Sequence, residues 1–309
     1  MRVVRDVSHA LDQVAGSADL LHLHSNGLIV EAAARWALKR RIPYVLTLYG
    51  TEIWHYKRRR PIDWFTQAYA GAARVTFYSR FLKEKAEEVG LSRPGLSVVY
   101  PPVAERFESR DASTRSEWRR ELGIHEPRVI LNVKRLHPLA GQADLIEAFA
   151  LFARDLTDVR LVICGTGALQ GELEARVQSL GLAARVTFAG LVPNDVVARY
   201  CAIADVFALP SLLEALPTVA VEALASGTPV VSADHPGGVE LHELFLGDVA
   251  VVPKQNPRAL ADALRASLAA NRRTTPQTAV TLEGLFRSPA VMAAYDAVYS
   301  SARSASTVR

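Results

Sequence analysis

Short apolar runs alternate with amphipathic stretches along nearly the whole chain. Residues 19–24 (DLLHLH) read as a buried strand, 27–39 as a helix, and 44–49 (YVLTLY), closed by Gly50, as a second strand. Two more strands are expected over 74–78 and 96–100, with a charged helix over 80–89 between them. Strands that alternate with helices pair in parallel, because a parallel neighbour is reached only through a crossover.

Pro101 and Pro102 end this series, and the polar, charged stretch that follows reads as a linker over 105–125. A second series then supplies six strands, at 129–133, 160–164, 185–188, 206–209, 229–232 and 249–252. Helices are expected between them, near 142–154, 171–179, 195–201, 217–225 and 257–270. Six strands with crossovers make a complete doubly wound sheet, whereas the four strands of the first series, without a glycine-rich strand-to-helix turn, fall short of one. The expected division is an incomplete first domain over 1–104, the linker, a second domain over 126–285, and a closing helix and tail over 286–309. The helix is placed at 288–299, and the small polar residues 300–309 read as a disordered tail.

The chain has 309 residues, half of them apolar and 22% charged, which suits two domains with real cores. Its two cysteines, Cys164 and Cys201, lie in apolar surroundings and read as buried thiols of a reducing compartment. The first residues carry Arg2, Arg5, Asp6 and Asp12 with no continuous apolar core, so they do not read as a signal peptide. No apolar run approaches the roughly 20 residues of a membrane span, and the expected location is cytoplasmic. The net charge of +4 is mild, but basic residues cluster at Lys39, Arg40 and Arg41 and again at Lys57, Arg58, Arg59 and Arg60. The second cluster is flanked by Trp54, Tyr56, Trp64 and Phe65. It reads either as a solvated face or as a peripheral contact with an anionic membrane. No nucleic-acid motif accompanies the charge.

The densest chemical signal is ALPSLLEALPTVAVEALASGTPVV, residues 208–231. A strand ends at Leu209, and Glu214 lies in the loop beyond. Pro217 suits the first turn of a helix, where a missing N–H costs nothing. Thr218, Val219 and Ala220 then present free backbone N–H groups at the positive end of the helix dipole, a ready anion site. Glu222 follows on the same helix. Carboxylates beside a phosphate site suit hydroxyl groups rather than the phosphate itself, such as those of a ribose and a hexose. Arg135 is a fixed cation just past a strand end. The turn Gly165-Thr166-Gly167 does not fit the dinucleotide fingerprint, which disfavours NAD. No Asp-x-Asp pair occurs, so no metal clamp on a diphosphate is indicated. His22 and His24 face the same way on a strand and read as a strand-end pair rather than a metal site.

Glu214 and Glu222, with seven residues between them, resemble the paired-glutamate motif of the retaining family 4 glycosyltransferases. ALASGTPVVSADHPGGVELHE, ILNVKRLHPLAGQADLIEAF, VICGTGALQGELEARVQSLGL and VTFAGLVPNDVVARYCAIADVFALPS look like that family's other units, so the resemblance runs from Asp19 to Tyr299. It implies an α/β fold of GT-B type, two Rossmann-like domains facing a cleft, with the N-terminal, acceptor-side domain incomplete. It implies a UDP- or GDP-linked sugar as donor, no cofactor, no metal, and an acceptor hydroxyl as partner. Carried over by position, Glu214 would hold hydroxyls of the donor sugar and Glu222 the ribose. Backbone at Leu216, Pro217, Thr218 and Val219, with Gly165 nearby, would meet the diphosphate. Arg135 would neutralise it as the leaving group forms, and His24 would lie on the acceptor side.

Three departures from the family stand out. Its N-terminal strand and glycine loop are missing. It usually has histidine where Tyr49 stands, and lysine where Ala140 stands. Lys134, beside Arg135, is the candidate replacement for that lysine. The expected function is therefore metal-independent hexosyl transfer with retention, through Arg135, Glu214 and Tyr49. Two alternatives stand beside it: a catalytically impaired nucleotide-sugar-binding relative or partner-dependent subunit, and an epimerase on the same plan, against which the paired glutamates argue.

Overall fold

The computed structural model describes residues 2–15, 17–58 and 63–304. The chain divides into two compact units, Met1–Pro102 with Ser288–Arg309, and Val103–Arg287.

The first unit begins with α1 (Arg2–Val14), which packs on α2 (Leu28–Arg40) although none of its residues is fully buried. Asp12 of α1 accepts a hydrogen bond from Trp36 Nε1 at 2.8 Å and pairs with Arg40. Between these helices runs β1 (Leu21–His24), and β2 (Tyr44–Leu48), fully buried, follows. The short α3 (Thr51–Trp54), α4 (Trp64–Gly71), β3 (Arg74–Phe77), α5 (Arg80–Ala86) and β4 (Leu96–Val98) complete the series. The four strands pair in parallel in the order β1-β2-β3-β4. The order never reverses, as it would in a full doubly wound sheet.

Residues 105–125, expected as a linker, contain α6 (Ala112–Glu121) and lie in the second unit. The Asp111 side chain caps α6 by accepting from the Thr114 N–H at 2.9 Å, and the helix packs on α9 (Asn194–Ile203). The six expected strands are β5 (Arg128–Val133), β6 (Val159–Cys164), β7 (Val186–Gly190), β8 (Val206–Leu209), β9 (Val230–Ala233) and β10 (Val249–Val252). Crossovers run through α7 (Gln142–Ala153), α8 (Gln170–Ser179), α9, α10 (Thr218–Ala225) and α11 (Pro236–Phe245). After β10 come α12 (Pro257–Ala270) and α13 (Pro276–Leu285).

The second sheet is wholly parallel, ordered β10-β9-β8-β5-β6-β7. Chain order reverses between β5 and β8, and ligands of such sheets bind outside the carboxyl ends of the strands at that switch point. The core between sheet and helices includes Ile130, Leu145, Phe149, Phe152, Leu161, Ile163 and Leu264, all shielded from solvent. Each such side chain contributes about 1.5–3 kcal/mol through burial. Two polar groups stitch the switch point: Asn132 Nδ2 donates to the Ala208 carbonyl at 2.9 Å, and the Val129 N–H donates to Asp205 Oδ2 at 2.7 Å.

The last helix, α14 (Ser288–Ser304), belongs to the first unit and packs on β2 and β3 through Val291, Val298 and Ala302. It takes in residues 300–304, which the sequence reading had placed in a disordered tail. Ala302 is fully buried, and that apolar contact extends the helix beyond its charged-poor, serine-rich surface pattern. Residues 305–309 lie outside the described residues.

Candidate functional site

Lys134 and Arg135 follow β5 directly, and Glu214 lies in the loop after β8, so both arms of the switch point carry charge. The glycine turn after β6 holds the first arm in place. A side chain at Gly165 would meet the Lys134 carbonyl at 2.1 Å, and one at Gly167 would meet the Leu136 carbonyl at the same distance. Gly165 also has φ +131°, a backbone state closed to most residues. The two glycines therefore let one turn lie flat against the other, with the Leu136 N–H donating to the Thr166 carbonyl at 3.0 Å.

Lys134 Nζ reaches Glu214 Oε1 at 2.5 Å, across the switch point. Arg135 is exposed, and its side chain makes no ion pair with any described residue. Both basic residues line a cavity of about 320 Å³ with Gly165, Thr166, Gly190 and Leu191.

The tip of α10 stands beside this loop in sequence. Pro217 occupies the cap position, and no described side chain caps the helix. Leu216 and Pro217 are buried, Thr218 is exposed and Val219 half-buried. The Ala220 N–H, expected free, donates to the Pro217 carbonyl at 3.0 Å, which leaves the N–H groups of Thr218 and Val219 for another partner. Glu222 is half-buried one turn on, and burial raises its carboxyl above the usual carboxylate range. Ala140, where the family resemblance leads one to look for lysine, is 3% exposed and ends a short 3-10 turn.

A residue not singled out from sequence stands close by. His235 is fully buried and caps α11, its Nδ1 accepting from the Gly238 N–H at 2.9 Å. Burial, then the charges of Lys134 and Lys254, pushes its pKa down to about 4. The signal was present: a polar residue followed by Pro-Gly-Gly reads as a helix start.

In the first unit, His22 and His24 share one side of β1, their ring centroids 4.0 Å apart. His22 is engaged at both nitrogens, Nε2 with Thr47 Oγ1 at 2.7 Å and Nδ1 with the Tyr299 hydroxyl at 2.8 Å. Burial, with His24 second, pushes His22 down to about 4. His24 Nδ1 contacts the Tyr49 hydroxyl, and the Tyr49 ring meets Tyr78 edge-on at 4.4 Å. Tyr78, Tyr295 and Tyr299 are members of this cluster that were not singled out from sequence as site residues.

The structure therefore groups Lys134, Arg135, Gly165 and Glu214 at one sheet edge, and His24 with Tyr49 in the other unit. Lys57 and Arg58 are exposed and line a cavity of about 780 Å³ that also includes Trp64 and Phe65, while Arg59 and Arg60 lie outside the described residues. No helix among the described residues is long and apolar enough to cross a membrane. Cys164 and Cys201 are both buried, and burial pushes the Cys164 thiol up to about 12.

Comparison with known proteins identifies the family and the fold. The family model for Glycosyl transferases group 1 matches residues 114–277, and that for Glycosyltransferase Family 4 matches residues 2–106. TuaC of Bacillus subtilis, a glycosyltransferase assigned to teichuronic acid biosynthesis, is 31% identical over 80% of this chain and 60% of its own length. The D-inositol 3-phosphate glycosyltransferase of Corynebacterium glutamicum is 36% identical over 58% of this chain and 43% of its own. The chain thus spans 60% or less of these relatives. Among solved structures, HepE of Anabaena in complex with UDP and glucose superposes with a TM-score of 0.77 at 21% identity, covering 96% of this chain and 81% of that one. A glycosyltransferase of Rickettsia africae gives 0.79 at 13% identity, covering 97% and 80%. These likenesses establish the fold: α/β, with two Rossmann-like parallel sheets of the GT-B type.

Proposed function

Since this chain belongs to the Glycosyl transferases group 1 family, we propose that it moves a hexosyl unit from a UDP- or GDP-linked sugar to an acceptor hydroxyl, with retention and without a metal ion. The reading rests above all on one observation: Lys134 pairs with Glu214 across the switch point of the second sheet, and Arg135 follows Lys134 into a shared cavity. The uncapped tip of α10 follows Glu214 closely in the chain.

The diphosphate sits against the α10 tip and Arg135, whose planar guanidinium suits a phosphate oxygen pair. The nucleoside enters the cavity lined by Gly165 and Gly190. Glu222 accepts from the ribose, and Glu214 accepts from hydroxyls of the donor sugar. In the transfer step the bond from the anomeric carbon to the diphosphate oxygen breaks and the acceptor oxygen bonds to that carbon on the same face. The acceptor's proton passes to the leaving diphosphate. The charge that grows on the leaving group is met by Arg135 and by the helix tip, whose N–H groups are oriented before the reaction starts. We place the reaction in the cytoplasm, in keeping with two unpaired buried thiols.

A second reading, a nucleotide-sugar-binding relative that does not transfer, is favoured by Tyr49, whose hydroxyl is already occupied by His24, and by Ala140. The test is a melting-temperature panel of UDP- and GDP-linked sugars, followed by product analysis with the ligand that stabilises most. A ligand selective for the native state raises the melting point. Stabilisation that disappears in Arg135→Ala supports the donor site. Stabilisation without turnover selects the second reading, and no response to any nucleotide sugar refutes both. We further propose peripheral contact with anionic membranes through Lys57 and Arg58, which share a surface cavity with Trp64 and Phe65. Failure to sediment with phosphatidylserine vesicles at low salt refutes it.

A further inference from the structure

We propose that Lys134 and Glu214 form an exchangeable latch by which the site tells the sugar donor from the bare nucleoside diphosphate left after transfer. The inference rests on the donor-site reading above and adds a specificity mechanism to it.

The two side chains hold each other across the switch point at 2.5 Å, with 29% and 15% of their surfaces exposed. An ion pair so far withdrawn from water is stronger than one on the open surface, because less solvent screens it. Its members have different second uses. Lys134 carries a compact ammonium on a flexible four-carbon stem, so it can turn from one anion to another. It is also the cation next to Arg135, with Ala140 supplying none. Glu214 is an acceptor-only carboxylate, and while it holds Lys134 it is drawn away from other donors.

A diphosphate at the α10 tip brings negative charge beside Lys134 and competes with Glu214 for it. When the ligand is a bare nucleoside diphosphate, Lys134 gains a phosphate but Glu214 is left unpaired in a partly desolvated site, which costs free energy. When the ligand carries a sugar, hydroxyl groups donate to the released carboxylate, and the cost is offset. Glu214 therefore works against the bare diphosphate and for the donor. After transfer removes the sugar, the ion pair re-forms and favours release of the product nucleotide. The coupling is reciprocal: weakening Glu214's hold on Lys134, with Lys134 still present, strengthens the bare diphosphate.

This gives opposite signs for one substitution. Glu214→Gln keeps the shape, removes the charge and frees Lys134. It is expected to bind UDP or GDP roughly fivefold tighter than the parent chain, while binding the matching nucleotide sugar more weakly. Lys134→Met should weaken the bare diphosphate, and in that background Glu214→Gln should no longer tighten it. The measurement is titration calorimetry of the full chain and the three variants with UDP, GDP, UDP-glucose and GDP-mannose at low ionic strength, with melting curves to verify folding. If the parent chain binds but Glu214→Gln binds the bare diphosphate no tighter, the latch is refuted and the donor site stands. Tightening that persists in Lys134→Met would mean simple removal of a repelling charge, and also refutes the latch. A parent chain that binds none of the four ligands refutes the donor-site reading itself.

Discussion

The hydroxyl of Tyr49 touches Nδ1 of His24, and the two rings lie nearly parallel, 10° apart, with centroids separated by 6.0 Å. Burial, followed by the influence of Tyr78, raises the phenol well above its usual value, so it stays protonated at any physiological pH. Burial also lowers the His24 imidazole, which stays neutral at neutral pH. A neutral phenol held between His24 and Tyr78 can present a hydrogen bond of fixed direction, but not the titrating ring that the family resemblance implies at this position. Tyr49→Phe is expected to lower the transfer rate about tenfold, the loss of one hydrogen bond felt in the transition state, with donor affinity unchanged. Steady-state rates beside donor titrations check it, and an unchanged rate would remove Tyr49 from the proposed catalytic set.

Gly167 offers a test of how the donor loop is supported. A methyl group there would lie 2.1 Å from the Leu136 carbonyl oxygen and 2.8 Å from its carbon, both backbone atoms that have no rotamer to yield. Gly167→Ala must therefore move the segment that carries Lys134 and Arg135. We expect donor binding and turnover together to fall on the order of 10²-fold, as a misplacement of about 1 Å can cause, with the far-ultraviolet circular dichroism of the parent. Gly171→Ala, where an added methyl meets nothing within 4 Å, is the control and should bind as the parent does.

The strands of the second sheet were legible because nearly every position in them is apolar and each is bounded by glycine, proline or charge. Their order was not, since nothing local says that β8 lies beside β5. The pairing of Lys134 with Glu214 was hidden for the same reason: it joins two loops that meet only through that order. The helix α6 escaped because residues 105–121 are mostly charged or polar and none of α6 is buried. Its stability comes from outside the segment, and only Asp111, three residues before Thr114, marked its start. Glu214 and Glu222 were singled out by their spacing and by likeness to a family motif, whereas His235 carried only a helix-start signal and the cluster of Tyr78, Tyr295 and Tyr299 became visible only once distant elements were brought together.

Asp205 tests that external support for α6. Its carboxylate accepts from Arg119 Nη2 at 2.8 Å and from the Val129 N–H at 2.7 Å, joining α6 to the start of strand β5. The two charged side chains are 19% and 13% exposed, so most of the pair is out of water. Asp205→Ala leaves both a guanidinium and a backbone N–H without this partner. The expected loss is about 2–3 kcal/mol, in the range for charged hydrogen bonds and for a stranded buried donor. Denaturant unfolding measures it. A loss below about 0.5 kcal/mol would place the pair among the surface bridges that contribute little.

His235 predicts the pH dependence of stability. Its Nδ1 accepts from the Gly238 N–H, so the proton of the neutral ring sits on Nε2, towards Ser232 Oγ at 3.3 Å. Protonation would place a second N–H against the Gly238 donor and break the cap of α11. It would also put a charge beside Lys134 and Lys254 in a fully buried position. The folded ring therefore has a pKa near 4, against 6.5 for the unfolded chain. Between those values the unfolded state binds the extra proton, so stability is fully present above about pH 6.5 and falls as the pH drops towards 4. Asparagine at this position keeps an acceptor for the helix start but does not titrate. His235→Asn should match the parent at pH 7.5 to within about 1 kcal/mol and lose distinctly less stability between pH 6.5 and 4.5. The comparison isolates one ring, because the carboxylates and His22 titrate in both proteins. Equal slopes in the two would mean that the α11 cap survives protonation, and with it that the contact between the Gly238 N–H and the imidazole can rearrange without cost.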